Sequence, residues 1–181
     1  MIELDTSLFK WLNFDGGAFL DGALELISTR YFAIPVYLYL AFRLFSQSKP
    51  LFFKSLLSIA LLILVSDQLS VAVKNTVQRK RPCHEAALQA DIHLVDGRCG
   101  GTYGFYSSHA SNTMALTVFL SLLFQSRGIA ILLGIWTILV GYSRIYLGAH
   151  YPLDVLTGWT AGALLAYLAF VVFRRFLVPA S

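Results

Sequence analysis

The sequence predicts an all-α protein, a polytopic bundle of transmembrane helices. Two observations carry that expectation. Hydrophobic residues fill 57% of the 181 positions and charged residues only 13%, against roughly 25% charged in an ordinary soluble domain. The apolar residues are also gathered into stretches approaching the roughly 17 to 25 residues a bilayer demands, with polar or helix-breaking residues between them.

Five spans are expected, with six as the alternative count. Residues 1–30 come first and read differently from the rest. Leu4–Phe14 sets Leu8, Phe9, Trp11 and Leu12 beside Asp5 and Lys10, the pattern of an amphipathic helix at the membrane interface. Gly17–Thr29 repeats Phe19, Leu20, Ala23, Leu24 and Ile27 at helical spacing, with Asp21 and Glu25 on another face. That segment is a second interfacial helix, a short buried one, or the sixth span. The transmembrane core, residues 31–175, then holds the spans Tyr31–Phe45, Leu51–Val73, Ser108–Phe124, Ile129–Leu147 and Leu153–Phe173. Ser46–Pro50 and Gln125–Gly128 mark two of the breaks, and residues 79–105 form a long loop. The whole chain, 1–181, is read as one domain.

The net charge is +4, and no basic run interleaved with aromatics on a polar background supports nucleic-acid binding. Met1–Phe14 carries Glu3 and Asp5 in place of a basic start and an apolar core, so membrane delivery is expected to rely on the internal spans. Arg43, Lys49, Lys54, Arg127, Arg174 and Arg175 fall on one side of a five-span arrangement with no carboxylate. The other side collects Lys74, Arg79, Lys80, Arg81, Arg98 and Arg144 with nearly all the acids. Raw counts balance, but the first group sits at span ends while the second has a use of its own. The first group is therefore placed in the cytoplasm and the long loop outside, in the cytoplasmic (inner) membrane.

Three motifs then fall at one membrane face. Lys74-Asn75-Thr76-Val77-Gln78-Arg79-Lys80-Arg81-Pro82 puts four cations within eight residues at a span end. Headgroup snorkelling explains them as well as phosphate binding does. Tyr106-Ser107-Ser108-His109 opens an apolar helix after the glycine-rich Gly100–Gly104. Ser107 or Ser108 is a natural N-cap, and the free N–H groups of a helix start bind anions. Ser143-Arg144 followed by His150 and Asp154 brings a further cation and a histidine. Asp154 stands one turn after His150, placed to fix one imidazole nitrogen as a donor and leave the other as nucleophile or base. Each motif alone has a bland structural reading; their coincidence on one face does not.

In these motifs the chain resembles the type-2 phosphatidic acid phosphatase superfamily, which includes the vanadium haloperoxidases. The family pattern is Lys-x6-Arg-Pro, Pro-Ser-Gly-His and Ser-Arg-x5-His-x3-Asp. Lys74 with Arg81-Pro82, and Ser143-Arg144 with His150 and Asp154, match in full. Tyr106 and Ser108 replace the Pro and Gly of the second motif, while Ser107 and His109 are kept. The resemblance implies that His150 is the nucleophile, that Asp154 orients it, and that His109 is the general acid. Lys74, Arg81, Arg144, Ser107 and the Ser108 amide would cradle the phosphate. It implies no metal and no cofactor, since three fixed cations supply the charge. The haloperoxidases are soluble, and five spans speak against that branch.

A lipid phosphate or diphosphate in the bilayer is the expected substrate, and no obligate protein partner is evident. Arg79 and Lys80, as spare cations, lean the expectation toward undecaprenyl diphosphate. Phosphatidylglycerophosphate, phosphatidic acid and lipid A phosphates are the alternatives, and a lipid phosphotransferase would use the same histidine. Asp67, seven residues before Lys74, is an intramembrane carboxylate. It is expected to support a cation or join a polar seam with Ser66, Gln68 and Ser70. Cys83 and Cys99 are the only cysteines. In an external loop they are expected to pair, closing about 15 residues for on the order of 3 kcal/mol; a metal site with His84 and His93 is the rival. Gly158 and Gly162, four apart, read as a close helix contact within the bundle.

Overall fold

The computed structural model describes residues 2–97 and 99–177. Arg98, counted above with the outer charges, lies outside the described residues, as do Met1 and residues 178–181. Among the described residues seven α-helices follow one another: α1 (Ile2–Leu12), α2 (Gly17–Ser28), α3 (Arg30–Gln47), α4 (Lys49–Val77), α5 (Ser108–Phe124), α6 (Arg127–Tyr146) and α7 (Pro152–Val172). Among the described residues there is no strand, only an isolated bridge between Lys80 and Tyr103. Lys49–Val77, Arg127–Tyr146 and Pro152–Phe176 are long and apolar enough to cross a membrane. The two other expected spans form α3 and α5, of 18 and 17 residues. At 1.5 Å per residue each reaches about 25 Å, and α5 is laden with Ser, Thr and Asn. The 12 residues of α2 are too few to cross by themselves.

Helix ends fall where the chemistry of capping puts them. Ser48 accepts from the Leu51 amide at the start of α4, with Pro50 in the first turn. Gln78 stops α4 in the left-handed conformation, φ 52°. Ser107 caps α5. Between α6 and α7 the chain turns in five residues through Gly148, φ +70°, where a Cβ would also lie 2.5 Å from Leu94.

The bundle is built around α5, which packs chiefly against α7 and then α6 and α4. Small residues and hydroxyls make this possible. A Cβ on Gly158 would lie 2.6 Å from the Ser107 carbonyl, and one on Gly162 would run into the Ser111 backbone. Ser66 bonds Ser111 at 2.8 Å and Thr117 bonds Thr137 at 2.7 Å, so these hydroxyls face protein instead of hydrocarbon. Gly162→Leu is expected to force α7 off α5 and lower the melting temperature in detergent by at least about 10 °C, since overpacking costs about 1–3 kcal/mol even where backbone is not the obstacle. A scan of unfolding by intrinsic fluorescence checks it.

The N-terminal segment folds back over the end of the bundle. In α1 the apolar residues Leu4, Leu8 and Trp11 face outward and the acid Asp5 faces in, at 7% exposure. Phe9 is buried edge-on against Tyr151, with ring centroids 5.4 Å apart. Asn13 donates to the carbonyls of Tyr146 (2.6 Å) and His93 (3.0 Å) and accepts from the His93 amide. Asp21 of α2 accepts from the Tyr146 hydroxyl at 2.5 Å and pairs with His93 at 2.9 Å.

Candidate active site

The three motifs meet at the end of the bundle made by the C-termini of α4 and α6 and the N-termini of α5 and α7. Lys74 sits in the last turn of α4. Its Nζ donates to Ser70 Oγ at 2.8 Å and to Ser108 Oγ in the first turn of α5. Ser107 is fully buried, accepts from the Ala110 amide, and donates its own amide to the Asp154 carbonyl at 3.0 Å. The amides of the first turn of α5 have no intrahelical partner by construction, so that end remains an anion-binding start.

Past the left-handed Gln78 the chain is pinned to the glycine-rich segment: Arg81 N donates to Thr102 O at 3.0 Å and Gly104 N to Arg79 O at 2.8 Å. Glycine is needed there for space. A Cβ on Gly104 would lie 3.1 Å from Arg81 Cγ and 3.3 Å from Asp154 Oδ2. Arg81 Nη1 reaches the Ala149 carbonyl at 3.2 Å and His150 Nε2 at 3.0 Å.

That last contact defines the histidine. A guanidinium carries donors only, so Nε2 of His150 must present its lone pair and the ring proton must sit on Nδ1. Nδ1 lies 3.5 Å from Asp154 Oδ2. His150 is 2% exposed. Burial first, then the charges of Arg81, Arg144 and Lys74, push its pKa well below the ordinary imidazole range. The ring is therefore neutral, with a lone pair aimed at a cation that an anion would displace.

Asp154, fully buried, has both oxygens engaged elsewhere. As the third residue of α7 it accepts the Tyr151 amide at 3.0 Å on Oδ2, and Arg79 Nη1 at 2.8 Å on Oδ1. Arg79 also pairs with Asp5 at 2.7 Å and lies flat over the Tyr151 ring at 3.9 Å. Asp5 in turn accepts the Leu153 amide at 2.8 Å. Arg79 was expected beside Lys80 as a spare cation for a distal phosphate. It is instead committed inward to two carboxylates.

His109 is exposed, makes no side-chain hydrogen bond among the described residues, and lines a cavity of about 530 Å³ with Ser108, Asp67 and Asn112. Arg144, in the last turn of α6, donates to Ser28 at the end of α2 and lines a neighbouring cavity with Ala149. The expected seam is in part a different one. Ser66 and Ser70 bond α5 hydroxyls, while Asp67 accepts Asn112 Nδ2 at 2.8 Å and faces the cavity. Sequence reasoning missed Asp5, Ser28 and the inward role of Arg79. The one signal for Asp5 is a carboxylate placed inside an otherwise apolar amphipathic repeat.

Cys83 and Cys99 are bonded, their Cα atoms 6.0 Å apart. His84 lies beside both sulfurs and reaches the Gly100 carbonyl at 3.0 Å, but with the sulfurs bonded to each other neither is a thiolate that could ligate an ion; His93 is tied to Asp21.

Lysine, arginine and serine groups thus gather around a buried histidine at one end of a bundle of apolar helices, three of them long enough to cross a membrane. The chain belongs to the PAP2 superfamily, which residues 51–177 match. A lipid A 4'-phosphatase of Bacteroides thetaiotaomicron is 31% identical, over 96% of this chain and 78% of its own length. An undecaprenyl-diphosphatase of Sulfolobus acidocaldarius is 29% identical, over 93% of this chain and 78% of its own. The crystal structure of a transmembrane PAP2-type phosphatidylglycerolphosphate phosphatase from Bacillus subtilis has the same fold, with a TM-score of 0.76 at 22% identity, covering 96% of this chain and 86% of that one.

Proposed function

We propose that this chain is a single-domain lipid phosphatase that hydrolyses a lipid phosphate monoester through a phosphohistidine on His150. The observation that carries the reading is the Arg81–His150 contact, 3.0 Å from a donor-only group to Nε2. It supplies both a nucleophilic lone pair and the cation that would hold the phosphoryl oxygens. In the first step Nε2 attacks phosphorus, the P–O bond to the lipid breaks, and protonated His109 gives its proton to the leaving oxygen. Asp154 balances the charge that the His150 ring gains. In the second step His109, now neutral, takes a proton from water as the water oxygen attacks phosphorus. The P–N bond breaks and inorganic phosphate leaves.

Lys74, Arg81, Arg144 and the Ser108 amide would stabilise the charge spread over the transferring group. Those cations do the electrostatic work of a divalent ion, and the carboxylate beside the nucleophile has no oxygen to spare for one. All five helices α3–α7 cross the inner membrane in this reading, with the site on the non-cytoplasmic side. Protein purified without reductant should then resist thiol alkylation until it is reduced; free thiols at Cys83 and Cys99 would count against that orientation.

The relatives support a saccharolipid monophosphate first. Undecaprenyl diphosphate is the second reading: the archaeal relative bears that name, but of the two spare cations only Lys80 is left to favour it. The deciding experiment is phosphate release from a panel of purified lipid phosphates in detergent: lipid A, undecaprenyl diphosphate, phosphatidic acid and phosphatidylglycerophosphate. Release should need no acceptor lipid, survive chelator and fall with orthovanadate. Loss of activity in chelator would overturn the metal-free mechanism, and a strict need for an acceptor lipid would make the protein a phosphotransferase.

A further inference from the structure

Below the phosphate cradle, one carboxylate is not used by the chemistry. Asp67 lies on α4 seven residues before Lys74, two turns deeper into the bundle. One of its oxygens accepts Asn112 Nδ2 at 2.8 Å. The other has no hydrogen-bond partner among the described residues and belongs to a residue lining the same cavity as His109. Asn112 follows His109 by three residues on α5, about 4.5 Å along the helix axis. Its amide orientation is settled, because only the NH₂ side can face a carboxylate. Asn112 Oδ1 is buried with no hydrogen-bond partner among the described residues. A half-satisfied carboxylate among hydrocarbon-facing helices is costly unless a donor completes it.

The cavity has the composition of a meeting point. Its upper wall is Ser108 and His109, and its deeper wall is Ile63, Leu116 and Val140. A lipid whose leaving oxygen meets His109 and whose body lies in this cavity would bring its next few atoms beside Asp67. We propose that Asp67, held by Asn112, is an acceptor subsite that reads a hydroxyl or amide N–H on the lipid within two to four bonds of the ester oxygen. The substrate class is then a lipid phosphate with a hydrogen-bond donor on its backbone, a sugar, a hydroxylated glycerol or an amide-linked base, and not a bare polyprenyl chain. This rests on the phosphatase reading above and narrows it.

Three lipids separate the possibilities in purified protein: lysophosphatidic acid, with a free hydroxyl next to the ester carbon; phosphatidic acid, with that hydroxyl acylated; and farnesyl phosphate, with no donor. Asp67→Asn keeps the shape and removes the charged acceptor. It is expected to lower kcat/KM for lysophosphatidic acid roughly 10-fold, the loss of one charged hydrogen bond, and to change the other two by less than about twofold. Asn112→Ala, which only loosens the carboxylate, should show the same selectivity at roughly threefold. An equal fall for all three lipids, or no change for any, would overturn the subsite while leaving the phosphatase intact. Folded wild-type protein that releases phosphate neither from these three nor from lipid A would sink both.

Discussion

Replacing His150 by alanine is expected to lower phosphate release by at least about four orders of magnitude, the scale seen when a covalent nucleophile is removed. The fold should survive. Asp154 keeps its bonds to Arg79 and the Tyr151 amide, and Arg81 keeps the Ala149 carbonyl, so no buried charge is stranded. Alkali-quenched wild type mixed with lipid labelled in its phosphate should carry protein-bound label that is stable to base and lost in acid. The variant should carry none. His109→Ala should behave differently. It should fail with lipid alkoxide leaving groups; with a phenolic phosphate, whose leaving group needs no proton, it should still form the phosphohistidine and release a burst of phenol, but free phosphate slowly, since His109 is also the base for the attacking water. If His150→Ala turned over within about tenfold of wild type, the phosphohistidine would be wrong.

The state of His150 also has a pH consequence. Its pKa in the folded protein lies well below 6.5, through burial and the three nearby cations. Above 6.5 the ring is neutral in both folded and unfolded chains. As pH falls below that value the unfolded chain gains a proton that the folded one refuses, so stability declines toward acid.

The second large effect is expected at Arg79, which touches no substrate in the mechanism proposed. Arg79→Met would leave Asp154, fully buried, and Asp5, nearly so, without their shared counter-charge. Breaking a buried pair from one side costs about 3–5 kcal/mol, so a clear fall in melting temperature is expected. The turnover number should fall about 100-fold through misplacement of His150, with KM changed less than about threefold. Arg79→Lys should recover part of the rate, since an ammonium can serve one carboxylate but not span two. Asp5→Asn, which still accepts the Leu153 amide, should cost less, about 1–2 kcal/mol. Lys80→Met is the control and should alter neither turnover of monophosphates nor stability. A KM effect at Arg79 with kcat unchanged would make it a substrate contact after all.

These contacts give α1 a purpose beyond anchoring. Its outer face of Leu4, Leu8 and Trp11 suits a membrane interface, while its inner face carries Asp5 to Arg79, which also pairs with Asp154. The position of α1 is thereby tied, through Arg79, to the geometry of the site.

Much of this was legible in the chain because hydrocarbon is an unforgiving solvent. Charged and hydroxyl residues collect at span ends or on protected faces, so Lys74, Arg81, Ser107, His109, Arg144, His150 and Asp154 stood out at expected helix ends, and the roles proposed for them came from the resemblance of their spacing to the family pattern. Glycines four apart announced the close approach of α7 to α5 for the same reason, that only a missing Cβ admits a backbone. What required the tertiary structure was partner choice. Arg79 and Arg81 are two residues apart and look alike in sequence, yet one locks Asp154 to Asp5 and the other faces the lone pair of His150. Asp67 and its neighbours Ser66 and Ser70 share one stretch of helix, yet the hydroxyls close a seam and the carboxylate opens on a cavity. Hydrophobicity and charge decide where along the membrane normal a residue may sit; which of several like charges meets which partner depends on the rotation and crossing of helices far apart in sequence, and no local pattern records that.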